Sequence, residues 1–518
     1  MQAVFAVAVF ALFMLSTVAL AGYGLHLYVL LALFMRRNKR HRAAQRETVE
    51  RFLEQTPSEE WPVVTTQLPV YNERDVAERV LAAVAAMDYP AGRHEIQVLD
   101  DSTDYTRDII DRTVARLRAQ GADIVVIRRP NREGYKAGAL AHGLTSAKGK
   151  YVAIFDADFA PPRDFLRKAI PLLEADEKTA CMQGRWSHLN REESWLTEAQ
   201  ALGIDGHFAI EQGARAWNGL MMNFNGTAGV WRKSALQDPA VGGWSADTLT
   251  EDLDLSYRAQ LAGWRIDYCF DMDAPAELPN TIEALKSQQR RWATGSIQVA
   301  RKLLPRIWRS PLGLGEKLEA TVHLTHYSVS LWMFALALMT LPMSLYGGLM
   351  PGGYNWLRVG WFVILFATVA PSIVYCYARH VVGGRWLVLR SIGSMLVLGC
   401  GMCVNNTVAV FRGLLSRGGE FVRTPKSGSV GRAAKSSSYK TLTSNQWFIE
   451  LVMGAYSLIA LTTNLLNIQK GIGAFLLLYT IGFFLTGWMS RPRRVSRRAV
   501  EVAEPPVSTF PAEPAAAN

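Results

Sequence analysis

The sequence predicts an α/β domain with a mostly parallel, doubly wound sheet that is inserted between transmembrane α-helices. Three observations lead to this prediction. Between residues 63 and 158, short apolar runs of strand length alternate with helical patterns, as in parallel sheets whose strands are joined by helices. Apolar stretches long enough to cross a bilayer lie on both sides of that region. Basic residues directly follow two of these stretches, which is typical of cytoplasmic flanks.

The first apolar stretch, at residues 3–35, contains no acidic residue, lysine or arginine. It is too long for the core of a signal peptide and has no positive amino end, so we predict one uncleaved span. The basic flank at 36–42 then places the following domain in the cytoplasm. Later apolar segments lie at 328–350, 356–377, 386–415, 447–467 and 472–489.

Segment 386–415 is predicted to lie at the membrane interface instead of spanning it. It contains Arg390 and Arg412, and if it crossed, the basic region 417–440 would face outside, against the charge rule. We therefore predict one span before the domain and four after it. The predicted segments are a first helix and basic flank at 1–42, the α/β domain at 43–300, interfacial helices at 301–327, two spans at 328–378, a cytoplasmic segment at 379–445, two spans at 446–490 and a tail at 491–518.

The chain is basic, with a formal net charge of +11. Much of this charge adjoins apolar segments, at 36–42 and 491–498, so we interpret it as membrane orientation and contact with an anionic lipid bilayer. No nucleic-acid-binding module is visible, and we predict no nucleic-acid partner. We expect a multi-pass protein of a bacterial inner or plasma membrane, or of the Golgi membrane of a eukaryote, with the α/β domain in the cytoplasm.

A pair of carboxylates follows the strand predicted at 151–155, an apolar run too short for a helix. Asp156 and Asp158 stand where this strand ends, and open α/β sheets bind ligands at the carboxyl ends of their strands. Paired carboxylates suit a hard divalent cation, Mg²⁺ or Mn²⁺, which in turn neutralises phosphates. Such a pair is common in solvated loops, so its neighbours decide the interpretation.

Other polar residues also follow predicted strands. Tyr71 and Glu73 follow the strand at 63–70, and Asp100 and Asp101 end the strand at 95–99. Lys136 lies at the start of a helix predicted at 135–147, after a strand at 124–127. Strand ends and helix starts meet at one edge of such a sheet, where backbone amides favour phosphate. This pattern predicts a nucleotide diphosphate site, although spacing alone would equally allow Lys136 to be a surface lysine.

Three further motifs follow along the chain. Glycines at 222–229 permit close backbone approach to a ligand. Thr250 is predicted to cap a helix whose first turn holds acidic residues, which either stabilise the helix start or supply a general base. The tryptophan that follows two arginines at 288–292 either belongs to a solvated helix face or packs on a sugar, with a guanidinium on a diphosphate.

Together these motifs resemble those of processive family-2 glycosyltransferases, which include cellulose, chitin and hyaluronan synthases. The motifs are Pro69-Val-Tyr-Asn-Glu73, Asp100-Asp101, Asp156-Ala-Asp158, Thr250-Glu-Asp252 and Gln288-Gln-Arg-Arg-Trp292. The sequence between these motifs is closer to that of the cellulose-synthase-like A and C enzymes, which make mannan or glucomannan and β-glucan backbones. Examples are Arg132-Glu-Gly-Tyr-Lys-Ala-Gly138 and Phe224-Asn-Gly-Thr-Ala-Gly229. The resemblance covers residues 60–300.

The resemblance implies roles for individual residues. Those implied to bind the nucleotide sugar are Tyr71, Glu73, Asp100, Asp101, Lys136, Asp156, Gln288 and Arg291. Asp156 and Asp158 resemble the metal-binding pair, and Asp252, next to Glu251, resembles the general base. Those implied to contact the acceptor are Trp292, Asn225, Gly226 and Thr227. Phe421, Thr424 and Lys426, in the loop 420–428, resemble the gating loop of cellulose synthases, from which Arg423 and Pro425 depart.

The implied function is that of a membrane-embedded, inverting β-glycosyltransferase. It would polymerise hexose from UDP-glucose or GDP-mannose into a β-linked polysaccharide, with 1,4 linkages expected, and translocate the product. One alternative is a glycolipid synthase that adds a single sugar to diacylglycerol, a sphingoid lipid or a polyprenol phosphate. The other is an inactive membrane scaffold, against which the intact acidic residues argue.

Overall fold

The computed structural model describes residues 2–346, 353–385, 389–420, 426, 428, 445–466 and 473–492. The strands are β1 (Val64–Val70), β2 (His94–Asp100), β3 (Asp123–Ile127), β4 (Tyr151–Ile154), β5 (Thr179–His188), β6 (Gly229–Arg232) and β7 (Arg265–Ala276). The helices of the first part of the chain are α1 (Gln2–Gln55), α2 (Ala77–Ala85), α3 (Thr106–Ala119), α4 (Tyr135–Leu144), α5 (Phe165–Glu174), α6 (Trp195–Asp205), α7 (Gln212–Ala216), α8 (Lys233–Leu236) and α9 (Glu251–Leu261). The later helices are α10 (Ile282–Arg309), α11 (Leu314–Thr325), α12 (Ser328–Tyr346), α13 (Gly353–Val381), α14 (Leu389–Leu415), α15 (Gln446–Leu466) and α16 (Gly473–Met489).

The strands form one sheet in the order β3-β2-β1-β4-β6-β5-β7. Strand β1 is parallel to β2 and β4, β2 is parallel to β3, and β5 is parallel to β7. Strand β6 runs antiparallel to both β4 and β5. The predicted mostly parallel sheet is therefore confirmed. Strands β5 to β7 were not predicted, because polar residues interrupt the apolar runs of β5 and β7 and β6 is only four residues long.

Helices cover both faces of the sheet, and β4 shows why. Tyr151 and Ala153 pack into one apolar core with α2, α3 and α5, whereas Val152 and Ile154 pack into another with α4 and α9. Successive side chains of a strand point to opposite faces, so a strand buried on both sides needs a continuous apolar run. Chain order reverses between β1 and β4, and a crevice for ligands is expected at that reversal.

By length and composition, five of the described helices are apolar enough to cross a membrane: α1, α12, α13, α14 and α15. The most apolar part of α14 is 61% buried inside the protein, compared with 28–33% for the others. A central span and an interfacial segment would both be buried in this way, so the placement of α14 and the number of spans stay predictions. Helix α16 is apolar but shorter than the others.

Helix α1 runs without interruption from the apolar amino end into the α/β domain, past the predicted boundary at residue 42. Arg42 and Arg46 lie on its second half and bind the carboxylate of Asp271 on β7, at 2.6 and 2.7 Å. Phe34 stacks on Trp217, with ring centroids 5.4 Å apart. Part of the basic flank therefore binds the α/β domain, and one continuous helix ties that domain to the apolar segment.

Candidate active site

A cavity that is partly open to solvent lies at the carboxyl edge of β1, β2 and β4. Most of the predicted site residues meet there. Those that line it are Tyr71, Glu73, Asp101, Lys136, Asp156, Asp158, Asn225, Gly226, Glu251, Asp252, Gln288, Arg291, Trp292 and Lys426. Asp100 and Thr227 are not among the lining residues. Phe421 and Thr424 lie outside the described residues.

Lys136 stands in the middle of a group of carboxylates. Its ammonium donates to Asp156 Oδ1 at 2.5 Å and to the carbonyl of Gly226 at 2.8 Å, and it lies 3.9 Å from Glu251 Oε1. Gly134, in the left-handed conformation with φ of 69°, turns the chain into α4 and sets this position. Burial favours the neutral amine, but the carboxylates of Asp156 and Glu251 outweigh it and raise the pKa of Lys136. Lys136 therefore stays positively charged.

Asp252 lies in the first turn of α9, beside Glu251. Its Oδ1 accepts the backbone N–H of Leu253 at 2.8 Å, which holds the carboxylate at the helix start. Burial, and then repulsion from Glu251, raise the pKa of Asp252 to about 7, although Lys136 acts in the opposite direction. A carboxylate with a pKa close to neutrality is suited to accept a proton from a substrate hydroxyl.

Thr250 directly precedes α9, as predicted, but its side chain makes no capping hydrogen bond. Its hydroxyl is buried and has no hydrogen-bond partner among the described residues. Gly295 of α10 packs directly against it, since a Cβ on that glycine would lie 2.5 Å from Thr250 Cγ2. The predicted cap is therefore wrong, because the threonine side chain is held against α10 instead of the first turn of α9.

The turn around Gly226 holds the charged groups together. Thr227 is fully buried, and its hydroxyl accepts the backbone N–H of Asp156 at 2.9 Å. Gly226 is left-handed, with φ of 78°, and an added Cβ would lie 2.9 Å from Asp252 Oδ2 and 3.3 Å from Lys136 Nζ. Only glycine fits such a close approach without displacing a charged side chain. Thr227 thus positions Asp156 from behind the cavity wall.

Asp158 pairs with Lys426, a described residue of the predicted gating loop. Lys426 Nζ lies 2.8 Å from Asp158 Oδ2 and also donates to the carbonyl of Glu277. The carboxylate of Glu277 accepts the N–H of Gly428 at 3.2 Å and pairs with Arg79 at 3.2 Å. Residues 426 and 428 are therefore attached to the edge of the sheet at which Asp158 lies.

Asp156 and Asp158 together supply two carboxylate ligands at the cavity. Among the described residues, no group of three or more histidine, cysteine, aspartate or glutamate side chains forms a more complete metal cage. Mg²⁺ characteristically takes one or two carboxylates and completes its shell with water and substrate phosphates. The donor set therefore fits a divalent cation that is bound together with a diphosphate.

Aromatic and charged groups line the part of the cavity near β1 and β2. The guanidinium of Arg132 lies 3.4 Å from the centre of the Tyr71 ring. Asp101 accepts two hydrogen bonds from Arg129, at 3.0 and 2.5 Å. The sequence does not single out Arg129, because nothing in its spacing indicates that its side chain would bind Asp101, which follows the neighbouring strand.

Asp100 points away from the cavity although it adjoins Asp101. Its side chain is fully buried, and it binds Arg128 Nε at 2.8 Å and the backbone N–H of Ser102 at 3.0 Å. Adjacent residues at a strand end face opposite sides of the sheet. Asp101 therefore lines the cavity, and Asp100 does not.

Two tryptophans line the cavity on the side of α10. The rings of Trp292 and Trp186 have centroids 6.4 Å apart, and Trp186 stacks on Phe208 at 4.7 Å. Asn225 donates a hydrogen bond to His207 at 3.2 Å. Trp186 was missed by sequence analysis, because it lies near the end of β5, a strand that was not predicted. The two indoles form an apolar wall suited to the face of a sugar ring.

The chain is similar to several known glycosyltransferases. Residues 62–295 match the family model described as glycosyltransferase like family 2. Glucomannan 4-beta-mannosyltransferase 7 of Arabidopsis thaliana is 43% identical over 257 residues, which cover 49% of this chain and 46% of that protein. Glucomannan 4-beta-mannosyltransferase 1 of Cyamopsis tetragonoloba is 31% identical over 476 residues, covering 89% and 87%. Mannosyltransferase PcManGT of Pyrobaculum calidifontis, solved with GDP-Man and Mn2+, aligns with a TM-score of 0.46 and 21% identity, over 70% of this chain and 99% of that chain.

The fold and the matched family model together define a glycosyltransferase domain accompanied by apolar helices. The chain belongs to glycosyltransferase family 2, in the cellulose-synthase-like group that includes the glucomannan 4-beta-mannosyltransferases. The predicted family, fold and enzyme class are thereby confirmed. The chain spans about half the length of the Arabidopsis relative that it matches.

Proposed function

We propose that the protein is a membrane-embedded, inverting β-glycosyltransferase that polymerises hexose from a nucleotide sugar into a β-1,4-linked polysaccharide. The observation that carries this proposal is the meeting of three groups around Gly226: the carboxylate of Asp252, the ammonium of Lys136 and the carboxylate of Asp156. Sugar transfer from a nucleotide diphosphate requires a proton acceptor, a cationic group that contacts the diphosphate and a metal ligand. These three groups are the parts that we propose for this cavity.

GDP-mannose is the donor that we propose first, and UDP-glucose is the second. The names of the relatives describe mannose transfer in glucomannan synthesis, which supports a mannosyl donor. Asp101 can accept hydrogen bonds from the ring N–H groups that both guanine and uracil present, so this contact accommodates either nucleotide.

The side chains divide the chemistry between them. A bound Mg²⁺ or Mn²⁺ would offset the charge of the departing diphosphate at Asp156 and Asp158. Lys136, which stays protonated, supplies a positive charge at the same place. Asp252 accepts the proton of the acceptor hydroxyl, which attacks C1 of the donor sugar from the face opposite the diphosphate, so that the configuration inverts.

A sugar acceptor is favoured over a lipid by the aromatic wall of the cavity. Trp292 and Trp186 present two indoles where the terminal sugar of a growing chain would pack. Helix α10, which carries Trp292, packs against α14 of the apolar helices. We propose that the polymer leaves along these helices and that the catalytic domain faces the cytoplasm, where the basic residues at 36–42 also lie.

The test is a membrane-vesicle assay in which labelled GDP-mannose, UDP-glucose and UDP-N-acetylglucosamine are supplied separately with Mn²⁺ or Mg²⁺. A long product from one donor, cleaved by a mannanase or glucanase, would establish the proposed activity. A single labelled sugar extracted with lipid would replace it with glycolipid synthesis.

The variant Asp252→Asn tests the base in the same assay. It should lose about 10²–10⁴-fold in turnover and still bind the donor, because general-base catalysis typically contributes that much. Asp123→Asn, on the exposed edge strand β3, is the matched control and should keep full activity. Retention of most activity by Asp252→Asn would refute the base assignment.

A further inference from the structure

Helix α10 joins the active site to the apolar helices through two sets of residues. One set, Gln288, Arg291 and Trp292, lines the cavity. The other set, Lys286 and Arg290, is directed to α14 and α15. The helix is therefore in contact with the acceptor side of the site and with the apolar helices at the same time.

Lys286 forms a buried ion pair with Glu450, which lies in the second turn of α15. Lys286 Nζ is 2.6 Å from Glu450 Oε2, and the two side chains are only 4% and 0% exposed. The same ammonium donates to Ser490 Oγ at 2.6 Å, just after α16 ends. Ionisable groups inside membrane helices are costly and are usually functional.

Arg290 extends these contacts one turn further along α10. Its guanidinium donates to Asn405 Oδ1 and to Gln446 Oε1, each at 3.0 Å. The amide of Asn405 also donates to the carbonyl of Lys286 at 3.1 Å. Hydrogen bonds and an ion pair from α14, α15 and the end of α16 thus fix both the rotation and the axial position of α10.

Glycines bring α10 close to its neighbours on either side. An added Cβ on Gly295 would lie 2.5 Å from Thr250, which directly precedes the acidic first turn of α9. An added Cβ on Gly413 of α14 would lie 2.7 Å from Ile297 on α10. A displacement of α10 would therefore be transmitted to the base and to the acceptor wall, since packed interfaces do not deform continuously.

We propose that Lys286 and Glu450 are positioning residues that hold the acceptor wall at Trp292 in line with the apolar helices, so that the growing chain stays bound between successive transfers. This inference rests on the proposed function. A pair of apolar side chains would also fill the space, but it would not fix the helix in one rotation. The pair therefore governs retention of the acceptor at Trp292 more than donor binding. Gln288 and Arg291 lie on the same helix, but Tyr71, Asp101 and Lys136 also line the donor part of the cavity and are held by other elements.

The experiment compares Lys286→Met, Glu450→Gln and the charge-swapped double variant Lys286→Glu/Glu450→Lys in the purified, monodisperse full-length protein. The KM for an added β-1,4-linked mannose oligosaccharide, the product length and the affinity for GDP-mannose are measured. Each single variant should raise the acceptor KM about tenfold and shorten the product, while the donor affinity changes much less. The double variant should restore both properties in part. Lys150→Met, which breaks an exposed ion pair with Glu174, is the control and should match the wild type.

Single variants with normal acceptor KM and product length would overturn the inference, as would an equal loss of donor and acceptor affinity, which indicates general destabilisation. If neither single variant is monodisperse, Glu450→Asp decides, since it keeps both buried charges and withdraws the carboxylate from Lys286 Nζ by one methylene. A shortened product from that variant supports the inference, and a normal product overturns it. A wild-type protein that makes no polymer refutes the proposed function itself, which is a separate result.

Discussion

Gly226 and Asp252 approach so closely that a single methyl group between them would change the site. A Cβ on Gly226 would lie 2.9 Å from Asp252 Oδ2, and the backbone there is left-handed, with φ of 78°. The same Cβ would lie 3.3 Å from Lys136 Nζ. The position of the proposed base, Asp252, thus depends on Gly226, which lies in a separate segment of the chain just before β6.

Replacing this glycine is expected to impair catalysis more than folding. Gly226→Ala should lower kcat by about 10²-fold, because misplacement of a catalytic group by about 1 Å can have that effect. Gly219→Ala is the matched control, since its φ is also left-handed, at 71°, but no atom lies within 4 Å of the added Cβ. Steady-state kinetics on both variants, with thermal unfolding, would separate the two effects. Equal kcat values for the two variants would contradict the close approach.

The pH dependence of the reaction should report the ionisation of Asp252. Its pKa, raised to about 7 by burial and Glu251, means that the carboxylate is protonated and inactive as a base at lower pH. We expect kcat/KM to rise about tenfold per pH unit below 7 and to level off above it. Because the charge of Lys136 lowers this pKa, Lys136→Met should shift the rising limb of the plot of kcat/KM against pH to higher pH.

His188 also lines the cavity, and its ionisation would give the pH profile a rising limb at a different pH. His188→Gln therefore serves as the control for the pH profile, and the limb should keep its position in this variant whatever happens to the rate. A limb that disappears in His188→Gln and persists unshifted in Lys136→Met would assign the ionisation to the histidine.

Metal dependence should be sensitive to Thr227, which does not line the cavity. Thr227→Val removes the acceptor of the Asp156 N–H, a part-buried hydrogen bond, and loss of such a bond costs on the order of 1 kcal/mol. After removal of divalent cations with EDTA, the Mn²⁺ concentration for half-maximal activity should be several-fold higher than in the wild type. Thr227→Ser keeps the hydroxyl and should behave as the wild type. An unchanged Mn²⁺ requirement in the valine variant would show that Asp156 does not need this support.

The sequence predicts which residues meet at the carboxyl edge of the sheet because these residues obey a topological rule. Tyr71, Asp101 and Asp156 each follow a parallel strand, and such strand ends meet at one edge whatever the details of packing. The position of these strand ends needed only periodicity and residue type. The acidic helix start at α9 also follows from residue type, but the choice of Asp252 within it came from the family resemblance.

The remaining features depend on tertiary contacts that periodicity does not encode. Trp186 lies near the end of β5, whose neighbours β6 and β7 are distant in sequence and whose apolar run is broken by polar residues. Thr250 had the right residue type for a cap, but Gly295 of α10 holds its side chain elsewhere. Similarly, only the register of β2 shows which of two adjacent aspartates faces the cavity.

Those two aspartates should therefore respond differently to the same substitution. Asp101→Asn is expected to raise the KM for the donor by about tenfold, because it weakens a contact offered to the nucleoside and the hold of Arg129 on it. Asp100→Asn should leave that KM near the wild-type value and instead lower the free energy of unfolding by about 1–3 kcal/mol, since it weakens buried hydrogen bonds with Arg128 and Ser102. Nucleotide titration and thermal unfolding of both variants would measure the two effects. A donor KM raised equally in both would mean that Asp100 also reaches the nucleotide, through a rearrangement of the strand end on binding.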